Sequence, residues 1–222
     1  MIIDWEKIDT VLLDMDGTLL DLHYDNYYWL EYLPKLYALK YHTTVKHAKQ
    51  TIEPLLAEKY GQLEWYSTEY WSKKFEIDIA KTKTDKEVVN KISFRPDAKL
   101  FLEAIKNKGK RLFLVTNADQ HVLKIKKELL DLDEYFDHLI STHEFGFCKE
   151  STEFWPAFQQ RFPFDPSRSL FVDDNLPILR VAKEYGIAHL RAITLPDSQK
   201  PAKDTQEFSP LGFKESIGFV NA

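Results

Sequence analysis

The sequence predicts an α/β fold: a doubly wound, Rossmann-like parallel-sheet core with an inserted α-helical cap subdomain. Three observations predict it. The apolar run Val11–Leu13 is typical of a buried strand and ends on acidic residues, residues 96–193 alternate between apolar strands and amphipathic helices, and residues 22–92 contain helical stretches without a convincing strand. We therefore assign residues 1–21 and 93–222 to the core and residues 22–92 to a helical cap inserted after the first strand.

Prolines, glycines and apolar periodicity set the predicted elements of the core. Pro96 stands near the start of a helix that Gly109 ends, and Gly186 ends a later helix in the same way. The later core strands are predicted at residues 111–116, 139–141, 169–172 and 187–193, and the core helices at residues 96–108, 120–130, 152–162 and 177–185. Strands that alternate with helices form βαβ units, so we expect a parallel sheet.

The inserted cap is predicted to be helical and rich in aromatic side chains. Its helical stretches cover residues 24–40, 44–60, 65–75 and 85–92. Tyr24, Tyr28 and Tyr32 recur every four residues and therefore share one helix face. Such a row either forms the core of the cap itself or offers a stacking wall to a planar base, and the sequence leaves both open. The tail from Leu195 onward has an irregular pattern, and we assign it no function.

Composition and charge exclude several classes of partner. The chain has 222 residues, a net charge of −5 and an isoelectric point near 5.8, so it lacks the basic surface of proteins that bind nucleic acid or anionic membranes. It also lacks an apolar run as long as a membrane span. Charged Asp4, Glu6 and Lys7 argue against an ordinary signal peptide, and a single cysteine, Cys148, excludes an internal disulfide. We expect a cytoplasmic protein without nucleic-acid or membrane partners.

Two aspartates, Asp14 and Asp16, follow the first strand directly. Side chains two residues apart on a strand share a face, and open α/β sheets bind ligands at the carboxyl ends of their strands. Two carboxylates at the edge of a core repel each other unless a cation or a proton compensates them. Because Mg²⁺ prefers carboxylate and carbonyl oxygens, this pair predicts a magnesium site.

Three further groups fall at the same predicted edge of the sheet. Thr116-Asn117 stands at the end of a strand and offers hydroxyl and amide donors to a phosphate oxygen. Lys149 follows a loop, and Asp173-Asp174 ends another strand with adjacent carboxylates that favour a shared cation. Four carboxylates and one lysine would leave the crevice too negative for a phosphate dianion. We therefore expect bound Mg²⁺ and one aspartate, Asp16, held in its neutral form.

The run Asp14-Met15-Asp16-Gly17-Thr18 resembles the first motif of the haloacid dehalogenase-like superfamily in its phosphatase form. Thr116, Lys149 and Asp173-Asp174 follow in the order of the other three superfamily motifs. The dehalogenase and phosphonate-cleaving branches lack a carboxylate at the position of Asp16, so the resemblance implies a phosphomonoesterase or a phosphomutase.

The resemblance also implies a role for each motif residue. Asp14 would attack phosphorus to form an aspartyl-phosphate, while Asp16 would protonate the leaving oxygen and later take a proton from water. Mg²⁺ would be held by the Asp14 carboxylate, the Asp16 backbone carbonyl and Asp174, with Asp173 as support or substitute. The transferring phosphoryl oxygens would be held by Thr116, the Asn117 amide and Lys149.

A narrower resemblance covers Thr10 to Thr194, which is similar to the bacterial purine 5′-nucleotidases described as GMP/IMP nucleotidases. The matching pieces are residues 9–22, Asp25-Asn26-Tyr27 with Trp29, Trp65-Tyr66, Tyr70-Trp71, Thr116-Asn117-Ala118 with His121, Ser141-Thr142-His143 with Phe145-Gly146, and Asp173-Asp174. The chain departs from these relatives at Cys148, where they often have proline, and at Glu69, where aspartate is expected. The resemblance implies a small phosphate ester as substrate, namely a purine nucleoside 5′-monophosphate.

Trp65, Tyr66, Tyr27 and His121 are the candidate substrate-binding residues. The aromatic rings are suited to stacking on a base, and His121 is placed to reach the phosphate or ribose, or else to lie at the surface. Two alternatives to a nucleotidase remain open. One is a phosphatase or phosphomutase for sugar phosphates or another small metabolite, and the other is an inactive binding or regulatory protein on the same scaffold.

Overall fold

The computed structural model describes residues 3–220, with side chains to residue 218, and its five strands form one parallel sheet in the order β3-β2-β1-β4-β5. The strands are β1 (Thr10–Leu13), β2 (Arg111–Thr116), β3 (His138–Ser141), β4 (Ser169–Asp173) and β5 (His189–Ala192). Leu13 of β1 lies opposite Leu114 of β2 and Val172 of β4. The carboxyl ends of these three strands therefore meet at the centre of the sheet, where the strand order reverses.

Helices lie between successive strands along the chain, and a last helix follows β5. The α-helices are α1 (His23–Tyr27), α2 (Leu33–Lys40), α3 (Val45–Lys59), α4 (Thr68–Phe75), α5 (Ile79–Thr82), α6 (Lys86–Val89), α7 (Ala98–Asn107), α8 (Gln120–Leu130), α9 (Phe154–Arg161), α10 (Leu176–Tyr185) and α11 (Phe213–Val220). Short 3₁₀ helices cover Trp5–Lys7, Leu63–Tyr66, Leu132–Glu134, Thr142–Glu144 and Pro166–Arg168. None of the helices in the described part of the chain is long and apolar enough to cross a membrane.

Apolar side chains alternate between the two faces of the sheet. Val11 and Leu13 of β1 belong to a buried cluster that includes Phe101 of α7, whereas Leu12 belongs to a second cluster with Phe158 of α9 and Leu179 of α10. Both faces are thus covered, as a parallel sheet requires. The predicted doubly wound α/β fold is confirmed.

The stretch between β1 and β2 contains α1 to α7, and we refer to residues 22–92 within it as the helical segment. A π-helical turn (Tyr28–Tyr32) joins α1 to α2. This turn directly precedes Leu33-Pro34, and proline has no N–H for the regular helical hydrogen bond and crowds the preceding turn. Trp71 and Phe75 of α4 are buried and stacked with ring centroids 5.3 Å apart.

The two connections between the helical segment and the sheet run side by side. Leu20 and Phe94 form an antiparallel bridge. Asp21 N–H donates to Ser93 O (3.0 Å), and Arg95 N–H donates to Leu19 O (2.9 Å). The chain therefore leaves and re-enters the region of the sheet through paired backbones.

Two helices lie where the sequence pattern predicted none. α5 has only four residues, too few for apolar periodicity to be visible. α11 lies in the tail that was expected to be irregular, and that expectation is wrong for residues 213–220. Phe213 begins α11 directly after Gly212 and lies with its ring 5.0 Å from that of Phe101 in α7. Packing against a distant helix, rather than local pattern, orders this end of the tail.

Candidate active site

The four predicted motifs meet at the carboxyl ends of β1, β2 and β4. Asp14 follows β1, Thr116 is the last residue of β2 and Asp173 is the last residue of β4. Lys149, in the loop after β3, is buried and donates through Nζ to Asp14 Oδ1 (2.5 Å) and Asp173 Oδ2 (2.7 Å). We call Asp14, Lys149 and Asp173 the core network.

Asn117 orients the loop that carries Lys149. Its Oδ1 atom accepts from the Lys149 backbone N–H (2.9 Å) and from Thr142 Oγ1 (3.1 Å). Its Nδ2 atom donates to Glu150 Oε2 (2.8 Å). Thr116 Oγ1 accepts a backbone N–H from two residues further on (3.0 Å), which closes the turn. The strand end of β2 therefore fixes the lysine loop by side-chain hydrogen bonds.

Three carboxylates form a cluster of the kind that holds a divalent metal ion. Oxygen atoms of Asp14, Asp173 and Asp174 lie within 4.8 Å of one another. Gly17 has a φ of +84° and borders this cluster, and a Cβ atom there would lie 2.8 Å from Asp174 Cγ. Only glycine leaves room for the Asp174 carboxylate in its present place. Since the donors are all hard oxygen atoms, the set fits Mg²⁺.

Burial dominates the electrostatics of this cluster. It raises the pKa of Asp14, Asp173 and Asp174 to about 6, and the other carboxylates nearby add to the rise. Burial lowers the pKa of Lys149, but Asp14 and Asp173 raise it more strongly, so the net direction is upward. The lysine therefore remains an ammonium group, and the carboxylates are disfavoured as anions unless a further cation accompanies them.

A second ion network, which the sequence analysis missed, joins the sheet to the helical segment. Lys126 of α8 donates through Nζ to Asp16 Oδ1 (2.5 Å) and to Asp25 Oδ2 (2.7 Å). Lys83, after α5, donates to Asp25 Oδ1 (2.7 Å). Both lysine side chains are at most 2% exposed. We call Asp16, Lys126, Asp25 and Lys83 the junction network.

The sequence did contain a signal for Lys126. It lies four residues after Val122, so both side chains are on the same face of α8, and both are buried. The surrounding lysines, Lys124 and Lys127, made α8 look like a helix with a solvated basic face. Lys126 lies on the apolar face of this helix, and a lysine in such a position indicates a buried ion pair.

The crevice contains more charged side chains than the count made from the sequence. That count included four aspartates and one lysine, whereas the described residues add one aspartate and three lysines to the region: Asp25, Lys83, Lys126 and Lys203. Positive and negative charges then nearly balance, so charge alone does not require a protonated Asp16. Burial, followed by the opposing attraction of Lys126 and the repulsion of Asp25, places the pKa of Asp16 at about 6.

The tail beyond β5 takes part in the site. Lys203 donates through Nζ to the Asp174 backbone carbonyl and to its Oδ2 atom (3.0 Å). Asp197 is buried and accepts from Asn26 Nδ2 of α1 (2.6 Å). The tail thus contacts both the carboxylate cluster and the helical segment, although its sequence pattern indicated no role.

A cavity of about 580 Å³ extends from the strand ends to the helical segment. Its core end is lined by Asp14, Asp16, Thr116, Asn117, Lys149, Asp173 and Asp174. Its other end, which we call the aromatic end, is lined by Trp29, Leu30, Leu56, Tyr60, Trp65 and Tyr66. Tyr66 OH donates to Glu150 Oε1 (2.6 Å), which links this end to the loop of Lys149. Charged and aromatic side chains therefore line one cavity.

Two of the four predicted substrate-binding residues line this cavity and two do not. Trp65 and Tyr66 line it. Tyr27 instead donates its hydroxyl to Glu87, and the Lys91 ammonium lies 4.1 Å from the centre of its ring. His121 is exposed on the first turn of α8. Helical spacing could not show which side of these helices faces the cavity.

The regular row of tyrosines forms part of the interior of the helical segment. Tyr24 and Tyr28 are buried, with hydroxyls on Lys83 O (3.1 Å) and Thr82 Oγ1 (2.7 Å). Tyr32 OH donates to Asp85 Oδ2 (2.7 Å). Of the two alternatives left open by the sequence, this row fits the helical core, whereas Trp29, one residue beyond Tyr28, faces the cavity.

The two departures from the nucleotidase pattern differ in their surroundings. Cys148 is a buried free thiol whose Sγ–H donates to Gly61 O (3.1 Å), between the lysine loop and the helical segment. Glu69 is exposed on α4 and pairs with Lys73 (2.6 Å). Cys148 therefore links the loop of Lys149 to the helical segment, and Glu69 does not line the cavity.

Comparison with known proteins agrees with this geometry. The family model for haloacid dehalogenase-like hydrolases matches residues 8–186. The GMP/IMP nucleotidase YrfG of Escherichia coli (strain K12) is 39% identical over 209 residues, which cover 94% of this chain and 93% of that protein. The protein of the same name from Shigella flexneri gives the same figures. The prediction of an enzyme of the phosphoric monoester hydrolase class is confirmed by this family and these relatives.

Solved structures share the fold across different chemistries. The HAD phosphatase from Thermococcus onnurineus superposes with a TM-score of 0.79 at 19% identity and covers 96% of this chain and 98% of its own. The L-2-haloacid dehalogenase from Xanthobacter autotrophicus gives a TM-score of 0.62 at 16% identity, with 97% and 99% covered. These likenesses concern the fold alone. The family model over residues 8–186 and the 39% identity to a curated relative show that the chain belongs to the haloacid dehalogenase-like hydrolase family.

Proposed function

We propose that this protein is a Mg²⁺-dependent phosphatase that hydrolyses purine nucleoside 5′-monophosphates, with GMP and IMP as preferred substrates. The observation that carries the proposal is the single cavity with a carboxylate–lysine cluster at one end and aromatic side chains at the other. The 39% identity to a GMP/IMP nucleotidase over nearly the whole chain supports the same substrate class.

In this proposal residues 22–92 are a cap over the crevice, inserted between the core segments 1–21 and 93–222. The paired connections at Leu20 and Phe94 support a hinge at this boundary. The aromatic end of the cavity would hold the base between Trp65, Tyr66 and Trp29, because aromatic rings stack on any planar base. The core end would hold the phosphate.

The carboxylates fit Mg²⁺ held by Asp14, the Asp16 backbone carbonyl and Asp174. Asp173 already accepts from Lys149 and from the Asn175 backbone N–H (2.8 Å), which favours a supporting role for it. When bound, the ion would offset the negative charge of the phosphoryl group and of its aspartate ligands.

The protein's own groups carry the chemistry. An Asp14 oxygen attacks phosphorus while the bond to the nucleoside 5′-oxygen breaks, and Asp16 gives that oxygen its proton. The products of this step are a nucleoside and an aspartyl-phosphate. A water molecule then loses a proton to Asp16 and attacks the phosphoryl group, which restores Asp14 and releases phosphate. Lys149, Thr116 and the Asn117 amide hold the phosphoryl oxygens throughout.

Phosphate release from a panel of 5′-nucleotides and sugar phosphates, with Mg²⁺ and with chelator, tests the proposal. We expect release that requires the metal and is fastest with GMP or IMP. Release led by sugar phosphates would retain the chemistry and reject the nucleotide. Turnover that depends on a bisphosphate activator would indicate a phosphomutase, and no release from any ester would indicate a binding protein.

A further inference from the structure

The junction network contains two buried lysines that none of the four motifs includes. Lys126 Nζ is shared between Asp16 Oδ1 and Asp25 Oδ2, at 2.5 and 2.7 Å. Lys83 Nζ binds the other oxygen of Asp25 at 2.7 Å. Each carboxylate oxygen of Asp25 therefore accepts from a different lysine. Lys126 also binds Asp16, which transfers the protons in the proposed function.

The two lysines of the junction network are held in place because both are buried. The Lys126 side chain is 1% exposed and its ammonium lies 4.6 Å from the centre of the Tyr24 ring. The Lys83 ammonium lies 4.7 to 5.3 Å from three ring centres. A buried ammonium group without carboxylate partners is strongly disfavoured, so each lysine is confined to the position of its partners.

The three central members come from three different elements. Asp16 lies in the turn after β1, Lys126 lies on α8 and Asp25 lies on α1 of the helical segment. α8 contacts the helical segment a second time through its N-cap, because Asp119 Oδ2 accepts from the N–H and the hydroxyl of Thr68 (2.6 and 2.5 Å). α8 therefore joins the strand ends to the helical segment at two points.

Each ion network contains a different pair of aspartates. Lys149 binds Asp14 and Asp173, which belong to the carboxylate cluster. Lys126 binds Asp16 and Asp25, whose carboxylates lie outside that cluster. Lys126 does not line the cavity, so its effect on a bound ester must pass through another residue.

We infer that Lys126 is a positioning residue for Asp16. Its ammonium fixes one oxygen of the Asp16 carboxylate, and Asp25 ties that pair to the helical segment. The carboxyl group that transfers protons is then set in place when the helical segment lies over the crevice. This inference rests on the proposed function, since it concerns the role given there to Asp16.

Lys126→Met tests the inference, with Lys127→Met as a matched control. Lys127 is the next residue of α8, and its side chain is 41% exposed and pairs with Asp133. We expect Lys126→Met to lower kcat for IMP by ~10–100-fold, because a misplaced catalytic group loses that order of rate. KM should change by less than about threefold, since Lys126 does not touch the substrate. Lys127→Met should leave both values unchanged.

A double-mutant cycle with Asp16→Asn separates positioning from a structural effect. If Lys126 acts through Asp16, its removal should cost little further rate in the Asp16→Asn background, measured in single turnover with IMP and with p-nitrophenyl phosphate. The same loss factor in both backgrounds would overturn the inference, as would a loss confined to KM. Asp25→Asn gives a second route should Lys126→Met fold poorly: it should lower kcat less than Lys126→Met, and again only while Asp16 is present.

Failure of the inference and failure of the proposed function are distinguishable in this design. Wild-type hydrolysis of p-nitrophenyl phosphate but not of IMP would reject the nucleotide substrate, and the cycle would still test Lys126 on the aryl ester. Hydrolysis of IMP with additive effects of the two substitutions would reject Lys126 alone. Absence of hydrolysis of both esters would overturn both.

Discussion

The two ends of the cavity differ in the origin of their side chains and in their chemistry. The core end consists of charged residues at the ends of parallel strands, held by backbone pairing between β1, β2 and β4. The aromatic end consists of side chains on helices and on the 3₁₀ turn Leu63–Tyr66. In the proposed function, the core end carries out the reaction and the aromatic end selects the ester.

Asp14→Asn, at the core end, is expected to have the largest effect on turnover. The substitution keeps the shape of the side chain and removes the nucleophile, so turnover should fall by at least ~10³-fold for every ester tested. Asp133→Asn, at an exposed aspartate, serves as the control. Phosphate release and thermal unfolding are the measurements. Retained turnover in a folded Asp14→Asn protein would rule out the covalent mechanism.

A smaller and selective effect is expected at the aromatic end. Trp65→Ala should raise KM for GMP and IMP by ~5–150-fold, since loss of base stacking costs about 1–3 kcal/mol. It should change KM for p-nitrophenyl phosphate much less. Tyr27→Ala is the matched control, because Tyr27 belongs to the same segment and lies outside the cavity lining. Equal KM changes for all esters would mean that Trp65 only supports the helical segment.

The carboxylate cluster should also appear in the pH dependence of metal binding. Burial holds the pKa of Asp14, Asp173 and Asp174 at about 6, above the unfolded value of 3.8. A carboxyl group whose pKa is raised by folding contributes its full stability below pH 3.8, and this contribution is lost as the pH rises through 6. The free energy of unfolding of the metal-free protein is therefore lower at pH 7.5 than at acidic pH. Mg²⁺ binds the deprotonated carboxylates and reverses this loss.

The stabilisation by Mg²⁺, measured as the rise in Tm on addition of the ion, should therefore grow between pH 5.5 and pH 7.5. At each pH, the Tm without Mg²⁺ is subtracted from the Tm with Mg²⁺. This subtraction cancels the contributions of histidines and surface carboxylates that do not contact the metal. Asp174→Asn should reduce the rise at pH 7.5 to a small fraction. A rise in Tm that is independent of pH would place the bound ion elsewhere.

The local sequence pattern was sufficient to predict the strands of the sheet and the motif residues at the core end of the cavity. The strand at 111–116 and the helix at 120–130 were predicted with the bounds that the structure has. The apolar run ends at Thr116, and in the structure the Asp119 side chain caps the helix. Motif residues that directly follow strands had to meet once those strands were parallel. Asp14 and Asp173 meet because β1 and β4 are neighbours in the sheet, an adjacency that the strand pattern did not give and that the resemblance of the motifs implied.

Contacts between distant segments could not be predicted in this way. Lys203 lies 29 residues from Asp174 in a tail without periodicity, and no local pattern indicates their contact. Lys126 and Asp25 are 101 residues apart. Tyr27 and Trp29 lie two residues apart on the same helical stretch, yet only Trp29 lines the cavity. Which face of a cap helix meets the core depends on tertiary packing, which spacing alone does not specify.

The smallest effect is expected at Glu69 of α4, where the resemblance to the nucleotidases led us to expect an aspartate. Its side chain is 75% exposed and pairs with Lys73 one helical turn away. An exposed pair of this kind contributes little to stability because water and salt screen it, and Glu69 does not line the cavity. Glu69→Asp should therefore change kcat/KM for GMP, IMP and AMP by less than about twofold each, without altering their ratios. A changed ratio of GMP to AMP would mean that α4 meets the base in a more closed arrangement, and the selective surface would then extend beyond Trp29, Trp65 and Tyr66.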